Sequence, residues 1–183
     1  MQNLESLLCP EIKIQNVVCT ADLKQKIDIT SFNEYEFLRS NLDLYTCGYV
    51  KDDTMVGNTT VFASGKLISV GTKSRKQAIN ELNKTKKILQ KYNLIKTVRI
   101  EPKVQNIVAR FDFKKRLPII KLAKTLPRSI YEPDQFPAII FRIPNTCSIL
   151  IFASGKGVLA GAKTIEDLNA AIFELKQYLK KFL

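Results

Sequence analysis

A chain of 183 residues with 45% hydrophobic side chains has material for one large core or two small ones, and its net charge of +12 points to polyanions as partners. It holds no histidine, and Cys9, Cys19, Cys47 and Cys147 are scattered without a CxxC pair, so zinc-ribbon ligand sets and His-dependent catalytic triads are excluded and no metal or cofactor is expected. No run approaches the roughly 18 apolar residues of a membrane span, and MQNLESLLCPEIK is too acidic for a secretory signal, so an intracellular protein that does not enter the membrane is expected.

Residues 1–9 read as a lead-in. IKIQNVVCT alternates and is rich in β-branched side chains, which predicts a strand. TSFNEYEFLRS at 30–40, opened by the capping-box pattern Ser31-x-x-Glu34, predicts a short helix. Strands are expected near 44–52, 58–64 and 66–72, with a turn at Val56-Gly57-Asn58. From Ser74, SRKQAINELNKTKKILQKY spaces Ala78, Ile79, Leu82, Ile88 and Leu89 along one helical stripe, with Gln77 in capping-box position. The same order then recurs: a strand in VQNIVARFDF, a helix in PIIKLAKTL stopped by Pro127, and strands near 137–143, 147–154 and 157–163 with a turn at Pro144-Asn145. A closing helix, TIEDLNAAIFELKQYLKKFL, carries Ile165, Leu168, Ala171, Ile172, Leu175 and Leu179 on its stripe.

The recurrence extends to residue identities. FASGKLISVGTK at 62–73 and FASGKGVLAGAK at 152–163 share seven of twelve positions at an offset of 90, and KIQNVVCTADL at 13–23 matches KVQNIVARFDF at 103–113 at the same offset. A unit of about 90 residues is therefore duplicated, which is too long for common solenoid repeats and suits two pseudo-symmetric halves, residues 10–94 and 95–183. Residues 1–94 hold 13 Lys/Arg against 10 Asp/Glu and residues 95–183 hold 16 against 7, so the second half is the more basic. The expected fold class is α+β with a largely antiparallel sheet and the long helices on one face.

Strand parity separates two faces. Thr60, Phe62, Ser64, Lys66, Ile68 and Val70 point one way, as do Leu150, Phe152, Ser154, Lys156, Val158 and Ala160, while small residues and glycines dominate the opposite set, where the helices are expected to pack. Asn16 with Val18, and Asn106 with Val108, extend the first face. An apolar face with two symmetric asparagines and a lysine rim suits the DNA minor groove, whose A·T pairs present mainly hydrogen-bond acceptors.

QN-[IV]-V, YEPDQFPAIIFR and FASGKxxxxGxK, in this order and duplicated over residues 10–183, resemble the TATA-box-binding protein core, and the missing long N-terminal extension is more similar to its archaeal members. The resemblance implies a ten-stranded curved antiparallel sheet in two repeats, a saddle with helices on its convex face and DNA on its concave one. It implies intercalating aromatic pairs, Phe136 with Phe152 and Phe62 with Tyr45; this family is itself the standard example of kinking the minor groove with apolar wedges. Asn16 and Asn106 would donate to base acceptors near the pseudo-dyad, over an apolar floor of Val18, Val108, Ile68, Val158 and Leu150. Ser64, Lys66, Lys73, Ser154, Lys156, Lys163 and Arg142 match phosphate-contacting positions. Glu132, Asp134 and Gln135 match the stretch that engages the transcription factor B homologue, through which RNA polymerase is recruited. The implied function is a general initiation factor that binds and kinks A·T-rich promoter DNA on the chromosome and is not an enzyme.

The sequence departs from the family where it has Val70 and Ala160 in place of groove-facing threonines, and SNLDLYTCGY in place of a YNPxxF-like stretch. These departures support an alternative, a divergent paralogue with altered DNA or protein-partner preference. An enzymatic reading finds no clustered carboxylates; Asp22 and Asp112 recur symmetrically but stand alone.

Overall fold

The computed structural model describes residues 10–43 and 45–182; the lead-in 1–9, with Cys9, lies outside the described residues. Among the described residues ten strands and three α-helices follow in chain order: β1 (Glu11–Asp22), β2 (Leu38–Ser40), β3 (Cys47–Val50), β4 (Asn58–Phe62), β5 (Lys66–Thr72), α1 (Arg75–Lys91), β6 (Lys103–Asp112), α2 (Ile119–Thr125), β7 (Ser129–Ile130), β8 (Ala138–Ile143), β9 (Cys147–Phe152), β10 (Lys156–Ala162) and α3 (Ile165–Leu179). The chain forms two compact units, one from Asn16 to Gln105 and the other joining the described residues up to Gln15 with those from Asn106 on.

In the first unit the strand order is β2-β3-β4-β5-β1, and in the second it is β6-β10-β9-β8-β7. The neighbours pair antiparallel in each, so the two units repeat one five-stranded topology. The long helices form where the sequence places their starts. The Ser74 side chain accepts from the Gln77 amide at 3.2 Å, and the Gln77 side chain accepts from Lys73 N at 3.0 Å. Thr164 and Asp167 close a reciprocal capping box at the head of α3. Helix α1 packs on β4 and β5, and α3 packs on β9 and β10. Under α3 lie Leu168, Ala171, Ile172, Leu175 and Leu179; Ile165, at the first helical position, stays exposed instead of joining that stripe.

The helix expected over 30–40 does not form. Residues Phe32–Glu34 make one 3-10 turn, Ser31 makes no side-chain cap, and Phe37 adopts φ +69°, after which β2 begins. Phe32 and Leu38 are both fully buried, and six residues of α-helix would set them about 120° apart, so no single helical face could bury both. The turn also lets the Asn33 side chain bracket Ser40, donating to its carbonyl and accepting from its amide, both at 2.9 Å. The sequence reading had no separate strand for β2 or β7.

The glycines on the helix face work differently from the expectation of simple helix packing. Gly65 and Gly155 sit in the turns after β4 and β9 at φ +91° and +86°, where an added Cβ would collide with the carbonyl oxygens of Gln25 and Lys115. These close approaches lock each hairpin against the segment that follows β1 or β6; the amides of Leu23 and Phe113 donate to the carbonyls of Gly65 and Gly155.

Candidate nucleic-acid interface

Burial alternates along the strands in the phase the parity argument requires. In β5, Leu67, Ser69 and Thr72 are buried on the helix side while Ile68 and Val70 are half-exposed; β10 repeats this with Leu159 and Ala162 buried and Val158 and Ala160 half-exposed. Phe62 and Phe152 are half-exposed at the ends of β4 and β9. The open faces are rows of cross-strand partners. In the first unit one row runs Tyr49, Thr60, Ile68, Thr20; in the second it runs Ile140, Leu150, Val158, Arg110, with Arg142, Ser148, Ala160 and Val108 beside it. Thr20, Tyr49, Arg110, Ile140 and Ser148 were missing from the sequence-predicted face. Parity in β3 and β8 could have found Tyr49 and Ile140.

Asn16 and Asn106 lie on this face beside irregularities in strand pairing. The β1–β5 register shifts between Val17 and Cys19, and the β10–β6 register shifts between Ala160 and Ala162. Gly71 and Gly161, at φ +88° and +101°, occupy the bulged positions, which favour glycine. The amide that each bulge frees donates to an asparagine: Gly71 N to Asn16 Oδ1 and Gly161 N to Asn106 Oδ1, both at 2.8 Å. Because an N–H must meet an acceptor, each carboxamide is fixed with its oxygen inward, and its NH2 group keeps two donors for a ligand.

The aromatic positions differ between units. Phe136 and Phe152 meet edge to face, with ring centroids 6.1 Å apart and planes at 65°, and Phe136 is 39% exposed. Phe136 is held by a turn in which its amide and that of Gln135 donate to the Glu132 carbonyl, at 2.8 and 3.0 Å. In the first unit Tyr45 is 56% exposed just before β3, with its amide donating to Asn41 O, and no ring contact joins it to Phe62. The residue opposite Phe62 across the ladder is Cys47, whose thiol donates to the Tyr49 hydroxyl at 3.6 Å.

The remaining predicted residues fall at the rim. Ser64 and Ser154 sit in the turns, with Ser154 Oγ accepting from Lys156 N at 3.4 Å; Lys66 and Lys156 open β5 and β10. Lys73 and Lys163 link those strands to the helices, and Arg142 is exposed on β8. Lys66 pairs across the ladder with Asp22, and Lys156 with Asp112. Asp112 is held below the usual carboxylate range by the backbone amide of Lys114 and by the Lys114 and Lys156 charges. Glu132, Asp134 and Gln135 are exposed ahead of β8. Cys19, Cys47 and Cys147 are buried and free.

The architecture matches proteins already known. The family model described as "Transcription factor TFIID (or TATA-binding protein, TBP)" matches residues 11–92 and again 101–182. The TATA-box-binding protein of Cenarchaeum symbiosum (strain A) is 36% identical over 165 residues, covering 89% of this chain and 91% of that protein. The TATA-box-binding protein of Pyrodictium occultum is 31% identical over 174 residues, covering 94% of this chain and 87% of the other. The solved structure of Methanococcus jannaschii TBP superposes with a TM-score of 0.84 at 29% identity, over 94% of this chain and 99% of that one. By two matched repeats, by relatives spanning nearly its whole length and by its fold, the chain belongs to the TATA-binding protein family.

Proposed function

We propose that this chain is a general transcription initiation factor that binds A·T-rich promoter DNA through the minor groove, kinks it, and acts by binding without turnover. The observation that carries the reading is the duplicated asparagine clamp. Two carboxamides are oriented with their donors outward, and A·T pairs offer the groove only acceptors, at adenine N3 and thymine O2. A G·C pair would set the guanine N2 donor against them. Val18, Ile68, Val108, Leu150 and Val158 supply an apolar floor. Phe136 and Phe152 form a pre-packed wedge in the second unit, and Phe62 with Tyr45 is the wedge of the first. Ser64, Lys66, Lys73, Arg142, Ser154, Lys156 and Lys163 meet phosphates. Glu132, Asp134 and Gln135 form the surface for a transcription factor B homologue, which brings RNA polymerase to the chromosome-bound factor.

Fluorescence anisotropy with a TATA duplex and a G·C-scrambled duplex tests this reading. Tighter binding to the TATA duplex at physiological salt is the expected result, and equal affinities would count against it. A second reading, a paralogue with altered preference, is favoured by Val70 and Ala160, which put aliphatic groups on the open face where the family carries threonine. Footprinting on genomic DNA separates the two.

A further inference from the structure

A cavity of about 620 Å³ opens beside Phe62 in the first unit, lined by Lys24, Ser64, Lys66, Arg99 and Lys103. Asp22 and Glu101 also line it, so four cations stand against two carboxylates. One of those carboxylates is already engaged: Asp22 Oδ1 accepts from Lys24 N at 2.7 Å, which holds the turn after β1, where Lys24 adopts φ +53°. Ion pairs such as Lys13–Glu11, Lys114–Asp112 and Arg128–Glu174 lie elsewhere, and among the described residues none of the four cations of this groove is paired.

The repeat-related groove of the second unit is different. It is smaller, about 360 Å³, and two of its cations are committed locally, Lys13 to Glu11 at 3.0 Å and Lys114 to Asp112 at 3.3 Å. Arg110 stands there in place of Thr20, and Arg99 has no basic counterpart, since the position 90 residues earlier is Cys9. Arg99 and Lys103 precede and open β6, in sequence that lies between the two FASGK blocks and outside both.

We infer that the first-unit groove is an additional phosphate-binding channel, in which Arg99 and Lys103 extend the rim begun by Lys24 and Lys66 and hold the sugar-phosphate backbone of the bound duplex. The inference rests on the DNA-binding reading above and adds to it an asymmetry: the first unit grips the backbone through contacts that the second unit lacks. The charge selects the occupant. Unpaired, exposed Lys and Arg side chains around an open channel release counterions when they neutralise phosphates, whereas a protein ligand would have to supply its own acidic groups. Arg99 adds a planar fork that can take two phosphate oxygens at once.

The test is the salt dependence of binding to a TATA duplex, measured from 50 to 200 mM salt for the whole chain, for Arg99→Ala and for Arg99→Ala/Lys103→Ala, with Lys124→Ala on α2 as the charge control. Each lost phosphate contact should make the slope of log affinity against log salt shallower by about 0.9, so about 1.8 for the double variant. Lys124→Ala should leave it unchanged. All of these side chains are exposed, and far-ultraviolet circular dichroism checks that the folds agree. A wild-type protein that binds TATA while both variants keep its slope overturns the inference and leaves the proposed function standing. Wild-type protein without salt-dependent binding to a TATA duplex overturns the proposed function, and this inference with it. Loss confined to the complex with a transcription factor B homologue assigns the groove to a protein and also overturns it.

Discussion

The side-chain carbonyl of Asn106 accepts a hydrogen bond from the Gly161 amide at 2.8 Å, and Asn16 makes the same bond to Gly71 at the same distance. Each bond joins a strand bulge to an asparagine side chain, so the backbone irregularity orients the carboxamide donors to which the proposed function gives the reading of bases.

Asn106→Asp separates these two duties. The carboxylate still accepts from Gly161, so the midpoint of thermal unfolding should change little, but it presents acceptors to a groove that offers acceptors. Asn106→Ala should weaken TATA binding by about 1–3 kcal/mol, the usual value of a specific base contact, and Asn106→Asp should weaken it more. Titration by anisotropy reads both. An aspartate variant that binds TATA as tightly as the parent would disprove the donor assignment.

Phe152→Ala removes one ring of the edge-to-face pair with Phe136. The pair contributes about 0.5–1.5 kcal/mol beyond its buried area, and without it the surviving ring has no fixed wedge geometry. The expected result is weaker binding and a straighter duplex, seen as lower energy transfer between end-labelled fluorophores. Unchanged transfer would sink the wedge role.

Val70→Thr with Ala160→Thr returns two hydroxyls to the open face. Both positions are half-exposed, so the hydroxyls remain hydrated in the free protein and cost little stability. The preference for TATA over G·C-scrambled DNA should rise, by up to about tenfold if the two hydroxyls together contribute one ordinary hydrogen bond of about 1 kcal/mol or slightly more. An unchanged ratio would mean that Val70 and Ala160 do not limit discrimination.

Between α1 and its sheet, the side-chain oxygens Thr59 Oγ1, Ser69 Oγ, Thr85 Oγ1 and Glu81 Oε2 are buried without a hydrogen-bond partner, while Glu81 Oε1 accepts from Val56 N at 3.0 Å. Ninety residues later the same places hold Ile149, Leu159, Leu175 and Ala171, all fully buried apolar side chains. A buried hydroxyl left unpaired costs about 1–3 kcal/mol. Thr59→Val with Thr85→Val removes two at constant shape, and the unfolding midpoint should rise, by about 2–4 °C per kcal/mol for a chain of this size. A lowered midpoint in scanning calorimetry would contradict this.

Burial pushes the Cys147 thiol up to about 11, with the Asp167 charge adding to the effect. The thiol is the neutral form, so the folded state favours it; the stability it contributes is complete below the ordinary thiol value of 9.0 and is lost as pH rises through about 11. Alkylation of Cys147 by iodoacetamide, read by peptide mass spectrometry, should stay slow in folded protein up to about pH 10 and titrate near the ordinary value in urea. Fast labelling of the native protein at pH 8 would refute it.

The duplication, the strand parity and the α1 cap were legible in the chain itself, because each rests on local chemistry. Ser74 caps within one turn, and residues two apart on a strand share a face whatever lies beyond it. The 30–40 segment was misread because a capping-box pattern competes with long-range burial: Phe32 and Leu38 reach the core only if the helix stops. The asparagines were found as a symmetric pair, but their direction depends on Gly71 and Gly161, each 55 residues away and freed by a bulge that no periodicity announces. Arg99 was invisible for the converse reason, lying in the second half but ahead of its first matched block, at a position whose counterpart 90 residues earlier is Cys9. Sequence determined which residues recur and which face they share; only the tertiary structure decided which donors remain free and which cations remain unpaired, because a group's availability depends on what the distant chain has already claimed.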